Sequence, residues 1–251
     1  MIAAWKFVMY VIIGVFFLYS FSGSGFSPSK LVSGCPNMGR ILGEMFPPDI
    51  HRLSYISTAM FQTFQMAFVG AVIGIIISFF LSVLASRRNT PHISIYYASR
   101  FVIAFCRSVP DLVWAVIFVA SVGLGPFAGT LTIIVDTVGF CGRFFAEAME
   151  EVDKGPEEAL QSMGARRLHI VMSAVVPAVL PSFVNTSLYA LEKAVRSSVV
   201  LGLVGAGGIG IELKVAMDMF LYQEASTIII GIFLLVVAVE QFSMYARREI
   251  M

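Results

Sequence analysis

The sequence predicts an all-α, polytopic membrane protein with about six transmembrane helices. Two observations set that class. Hydrophobic residues make up 58% of the chain and charged residues only 13%, where a soluble domain carries about 25% charged residues; the mean hydropathy is +0.86. The apolar residues also fall in runs long enough to cross a bilayer as helices, which takes roughly 20 residues. Against this background stands a polar hairpin between Glu147 and His169, where Glu147, Glu150, Glu151, Asp153, Glu157 and Glu158 crowd together with Lys154, Arg166 and Arg167.

Taken in order, Lys6 precedes an apolar run from Phe7 that continues through Tyr19 and Phe21. Small residues follow, but no clear Ala-x-Ala site, so the run is read as an uncleaved anchor rather than a signal peptide. Phe26 to Ser57 is polar by comparison and is expected to be an external loop, making residues 1–58 an anchor helix and loop ahead of a membrane domain over 59–251. A long helix is expected from Met60 to Ala85, closed by Arg87 and Arg88. The third span, Tyr96 to Leu124, is interrupted by Arg107 and by Pro110-Asp111, where the missing N–H favours a kink. A glycine turn from Gly123 to Gly129 leads into a fourth span, Thr130 to Glu147. In the hairpin, Gly155-Pro156 breaks the preceding helix, and Pro156 suits the first turn of a new one whose dipole favours Glu157 and Glu158. Gly164-Ala165 ends that short helix, and a second segment runs from Arg166 to Pro177. Pro181 to Leu203 and Ala225 to Tyr245 complete the spans.

Lysine and arginine counts set the orientation. With a cytoplasmic N-terminus, ten lie on the cytoplasmic side (Lys6, Arg87, Arg88, Arg100, Arg143, Lys154, Arg166, Arg167, Arg247, Arg248), four outside (Lys30, Arg40, Arg52, Lys214) and three within spans (Arg107, Lys193, Arg196). Both termini and the charged hairpin are therefore expected in the cytoplasm.

Several classes of chemistry find no support. A net charge of +1 gives no footprint for nucleic acid. Cys35, Cys106 and Cys141 lack metal-ligand spacing, and His51, His92 and His169 are scattered, so neither a metal site nor a catalytic triad is indicated. Gly205-Ala206-Gly207-Gly208-Ile209-Gly210 satisfies G-x-G-x-x-G, but a membrane span precedes it and no strand frames it, so it reads as an external re-entrant turn. No phosphate-binding loop ending in Gly-Lys-Ser/Thr occurs; if ATP drives this protein, another subunit binds it.

Ionisable residues within spans are costly and usually face a pathway or a partner. Asn185, Tyr189, Glu192 and Arg196 share one helical face, with Glu192 and Arg196 spaced to pair. Arg107 and Asp111 have the same spacing around Pro110, and Asp136 stands alone. Two readings stay open. Arg107 and Arg196 offer a translocating anion a foothold that Asp111 and Glu192 weaken, or the charges are pairs that fix helix packing.

Glu158-Ala159-Leu160, three residues, Gly164, nine residues, then Ala174-x-Val176-Pro177 resembles the EAA loop of ATP-binding-cassette (ABC) importer permeases of type I. The third alanine of that pattern is Leu160 here, and Ala174 and Val176 are smaller than the usual apolar residues, while the spacing is intact. Phe46-Pro47-Pro48-Asp49, Arg107-Ser108-Val109-Pro110, the Val122 to Gly129 turn, Glu192 with Val195 to Ser198, and Val204 to Gly210 look like the phosphonate and phosphite branch. The resemblance implies cytoplasmic coupling helices within about 149–177, with Glu158, Ala159, Gly164, Ala165 and Pro177 docking on a cytoplasmic ATPase dimer that holds the ATP and Mg. It further implies a second copy of this chain in the bilayer, an external or periplasmic binding protein, alternating access without covalent chemistry, and location in a bacterial inner membrane. The runners-up are a methionine-type importer and an ATP-independent carrier; an intramembrane enzyme has only Asp111, Asp136 and Glu192 to draw on.

Overall fold

The computed structural model describes residues 2–250, with side chains described for residues 5–249. Lipid offers no partner to backbone N–H and C=O groups, so each apolar run must satisfy them internally as a helix. In chain order the helices are α1 (Ile2–Gly23), α2 (Pro28–Glu44), α3 (Leu53–Ala85), α4 (Ile93–Ser108), α5 (Asp111–Val122), α6 (Pro126–Glu151), α7 (Gly155–Ser162), α8 (Arg167–Ile170), α9 (Val176–Gly202), α10 (Ile209–Asp218) and α11 (Tyr222–Ile250). No strand occurs among the described residues. Among the described residues five helical stretches are long and apolar enough to cross a membrane, or six if α4 and α5 count together. The chain forms two compact units, Met1–Pro47 and Pro48–Met251.

In the second unit, small residues decide how the bundle closes. Ala67, Gly70, Ala71, Gly74, Ser78, Ser82 and Ala85 recur at intervals of one, three or four residues and are all buried. Such a stripe lets helix backbones approach closely where lipid supplies no hydrophobic drive. A Cβ on Gly74 would lie 2.6 Å from Thr137 Cβ of α6, so this α3–α6 approach requires glycine. Further along α6, Phe145 stacks on Phe183 of α9 with ring centroids 4.2 Å apart. Cys141, Met149, Val175 and Val179 fill in around that stack.

The structure departs from the expected elements in four places. First, the stretch expected as a loop contains α2. Second, the third span is not a kinked helix: α4 and α5 meet at 91°. Val109 is extended, as the residue before a proline tends to be, and Pro110 follows with ψ 143°. Third, the segment from Arg166 does not stop at Pro177. A π-helical turn, Val171–Val175, joins α8 to α9, and Val176 N–H reaches back to Val171 O. That wider turn is where the ladder absorbs the loss of the Pro177 N–H. Fourth, α10 follows the Gly205 to Gly210 turn where only a turn was expected.

Candidate functional site

The charged hairpin builds itself from local rules. Asp153 Oδ1 accepts the Gly155 N–H at 3.3 Å, and Pro156 sits in the first turn of α7 with Glu157 and Glu158. At the other end Gly164 has φ +79°, a conformation glycine adopts without penalty. Ala165 N–H donates to Leu160 O at 3.1 Å and Gly164 N–H to Gln161 O at 2.9 Å, the paired bonds of a Schellman cap. Leu160 therefore occupies the capped position, where its carbonyl matters and its side-chain identity matters less.

The two neighbouring glutamates point to different fates. Glu158 and Ala159 are exposed, as are Met163, Gly164 and Pro177, while Ala165 is partly covered. Glu157 is turned inward, its side chain only 16% exposed, where Arg88 Nη2 donates to Glu157 Oε2 at 2.6 Å. The same guanidinium donates through Nη1 to Val152 O at 2.8 Å and Glu150 O at 3.3 Å. Arg167 Nη1 donates to Thr90 O at 2.6 Å. Arg87 N–H donates to Glu150 Oε1 at 2.8 Å, and Arg100 Nη2 lies 2.9 Å from Glu150 Oε2. The short connection between α3 and α4 thus grips the hairpin from both sides, and α7 keeps one face, centred on Glu158, clear.

Asp136 and Glu192 pair across helices, whereas Arg143 and Glu147 pair along α6, Nε to Oε1 at 2.7 Å. Asp136 does not stand alone: Lys193 Nζ donates to its Oδ1 at 2.7 Å and lies 5.2 Å from the centre of the Phe140 ring. Tyr189 stacks on that same Phe140 with centroids 5.6 Å apart. Glu192 is buried and pairs with Arg247 of α11, not with Arg196. Arg196 is exposed and enters no salt bridge among the described residues. Arg107 and Asp111 do not pair either. The Arg107 guanidinium sits 5.9 Å from the Phe144 ring centre, and Asp111 Oδ1 accepts the Leu112 N–H at 2.9 Å at the start of α5. The bend at Pro110 takes Asp111 off the helix that carries Arg107, which removes the spacing on which their pairing depended.

At the opposite end of the bundle the Gly205 to Gly210 turn interlocks with two helices. Gly125 N–H donates to Gly205 O at 3.0 Å, and Ile209 N–H donates to Thr63 Oγ1 at 2.7 Å. Beside it opens a hollow of about 440 Å³ of mixed lining, with Tyr55, Gln62, Gln65 and Glu212 beside Phe61, Pro126 and Ile211. Tyr55 donates to Glu212 Oε1 at 2.9 Å across it.

The family model described as "Binding-protein-dependent transport system inner membrane component" matches residues 78–246. The chain belongs to that family. It is 34% identical over 239 residues to the phosphite transport system permease protein PtxC of Stutzerimonas stutzeri, spanning 95% of this chain and 87% of that one. It is 37% identical over 223 residues to the phosphate-import permease protein PhnE of Mycolicibacterium smegmatis, spanning 89% of this chain and 42% of that longer relative. Among solved structures, a chain from inward-facing conformations of the MetNI methionine ABC transporter superposes with a TM-score of 0.68 at 25% identity, covering 80% of this permease and 99% of that chain. The permease is thus an ABC importer membrane subunit by family and fold, a class that moves solutes and leaves ATP hydrolysis to a separate protein.

Sequence reasoning missed three residues of this permease's charge arrangement. Lys193 and Arg247 partner residues 57 and 55 positions away, beyond the reach of helical periodicity. Arg88 looked like one more positive charge flanking a span. Its neighbour Glu157, one residue ahead of the motif glutamate on a first helical turn, was the available signal, since the two cannot face the same way.

Proposed function

We propose that this chain is the membrane-spanning subunit of an ATP-driven importer of a phosphorus oxyanion: phosphite, a phosphonate or phosphate. The observation that carries this reading is the division of labour on α7. Glu157 is consumed by the Arg88 tie, while Glu158 is presented outward on a capped helix. A rigid knob with a free carboxylate is a shape that a partner's basic groove can grip, and the Arg88 and Arg167 bonds would pass a pull on it to α3 and α4. The partners are a cytoplasmic ATPase dimer carrying ATP and Mg, a second copy of this chain and an external binding protein. The ten-to-four distribution of basic residues supports a cytoplasmic position for both termini.

Asp136 and Glu192 are neutralised by Lys193 and Arg247, which leaves Arg107 and Arg196 as bases, and Asp111 and Glu240 as acids, with no salt bridge among the described residues; this balance offers an anion a foothold without selecting the cargo. Relatives that carry phosphite and phosphate span most of the chain, and on that ground a phosphorus oxyanion is preferred to methionine.

The reading is tested in proteoliposomes holding this chain, its co-purified ATPase and the matching binding protein, with ATP supplied on the ATPase side. Labelled phosphite, methylphosphonate, phosphate and methionine are offered in turn. Uptake of one of the three phosphorus compounds, dependent on ATP, is the expected result. ATP-driven methionine uptake with none of the three would overturn the cargo assignment and leave the fold and family standing.

A further inference from the structure

In the first unit, the helix α2 carries an arrangement that neither transport nor coupling uses. At 100° per residue, Leu31, Cys35, Met38, Leu42 and Val32 gather on one side, and Ser29, Ser33, Asn37, Arg40 and Glu44 on the other. Lys30 and Ile41 sit at the border between the two arcs. No residue of α2 is buried, and Leu31, Val32, Met38 and Leu42 are each more than half exposed, at 58% to 71%. Ser27 starts the helix by accepting the Lys30 N–H at 3.4 Å, and Pro28 follows at the first position, so it begins at a defined point.

That point is tied to a membrane surface. The apolar run of α1 ends at Gly23, and only four residues, 24–27, separate it from α2. They turn tightly, with Gly25 at φ +67° and Ser24 N–H bonded back to Ser20 O at 2.8 Å. Four residues reach at most about 14 Å. A helix that starts so close to the end of a membrane span, is polar on one side and is apolar on the other meets the description of a helix lying in the interface.

We propose that α2 lies flat in the headgroup region of the bilayer that α1 crosses, with Leu31, Cys35, Met38 and Leu42 dipped into the acyl boundary and Ser33, Asn37, Arg40 and Glu44 toward water. The occupant of the apolar face is lipid. Burial of that face by about 5–10 Å fixes where the chain leaves α1 and holds the stretch that follows close to the membrane. Lys30, at the border, can run its stem along the apolar side and keep its ammonium among phosphate headgroups. The inference is independent of the cargo and of the ATPase.

The full-length chain, with Cys106→Ser and Cys141→Ser, is reconstituted in phosphatidylethanolamine and phosphatidylglycerol vesicles without a binding protein. A nitroxide is placed singly, at native Cys35 and, with Cys35→Ser added, at substituted 31, 33, 37, 38, 40 and 42, and its collisions with lipid-soluble oxygen and a water-soluble nickel chelate are compared. The oxygen-to-nickel ratio is expected to oscillate with helical period, high at 31, 35, 38 and 42 and low at 33, 37 and 40. A flat profile with nickel reaching every position would overturn the proposal by standing α2 in water. Labels at 31, 35, 38 and 42 that neither reagent reaches would overturn it by covering the face with protein. As a check needing no nitroxide, native Cys35 in the Cys106→Ser, Cys141→Ser background should react several-fold more slowly with a water-borne, impermeant maleimide than an Asn37→Cys thiol in the same background with Cys35→Ser added. Equal rates would count against lipid.

Discussion

The two ends of the membrane bundle are joined by different means. At the end that carries α7, the connections run through long side chains: Arg88 to Glu157 and to the Val152 and Glu150 carbonyls, Arg167 to Thr90, and Arg100 to Glu150. At the end that carries the glycine turn the innermost ties run through backbone and one short hydroxyl, Gly125 to Gly205 and Ile209 to Thr63, and the long side-chain ties Arg52 to Glu224 and Tyr55 to Glu212 accompany them. Guanidinium ties have several donors and a flexible stem, so they can hold on while helices tilt. Backbone-to-backbone contacts across glycines have no such slack. The difference suits an importer whose motion is applied at one end and whose other end must close against leakage, and it makes the two ends break in different ways.

The largest effect is expected at the rigid end. A Gly208→Val side chain would place a Cβ 2.5 Å from Thr63 Oγ1 at φ +73°, where backbone strain alone costs about 1–3 kcal/mol. Thermal unfolding in mild detergent should show a large loss of stability or no folded product. Wild-type stability would mean the turn repacks, and the contrast between the ends would fail. A smaller structural effect and a larger functional one are expected from Arg88→Ala, which removes charge-assisted bonds that contribute about 2 kcal/mol together. The ATPase should still bind and hydrolyse ATP while uptake falls, and exchanging the pair as Arg88→Glu with Glu157→Arg should recover part of the uptake. If the exchange recovers nothing beyond the single variants, the Arg88–Glu157 bond is not what transmits.

Between the ends, Arg196→Ala should leave folded yield unchanged, because Arg196 holds no ion pair among the described residues, and should sharply reduce oxyanion uptake. Uptake at the wild-type rate would remove Arg196 from the path. The smallest effect is assigned to Leu160→Ala, which keeps the carbonyl that caps α7; stability should move by no more than about 0.5 kcal/mol, and ATPase binding should not change.

Features governed by local rules were the ones legible in advance. The span positions followed from apolar runs, α7 from Gly155-Pro156 and its close from Gly164. What the sequence did not disclose was set by packing between distant segments. Glu192 has a base four residues ahead on its own helix, yet it takes Arg247, because its side chain is buried on the face that meets α11. Asp136 had no visible partner until α9 was laid beside α6. Pro110 announced a break but not its size. The helix α2 was readable in principle from Leu31, Cys35, Met38 and Leu42, but Gly34, Pro36, Gly39 and Gly43 disguise it, since all are poor helix formers.

The central claim is that α7 is the handle by which an ATPase moves this permease. It is tested most directly by purifying the chain from its native membrane in mild detergent, wild type beside Glu158→Arg, and quantifying by mass spectrometry the ATPase that accompanies each. The account predicts an ATPase with the wild type and its loss with Glu158→Arg, while the permease itself remains folded. An ATPase retained in wild-type amount by Glu158→Arg, or absent from both, would contradict it.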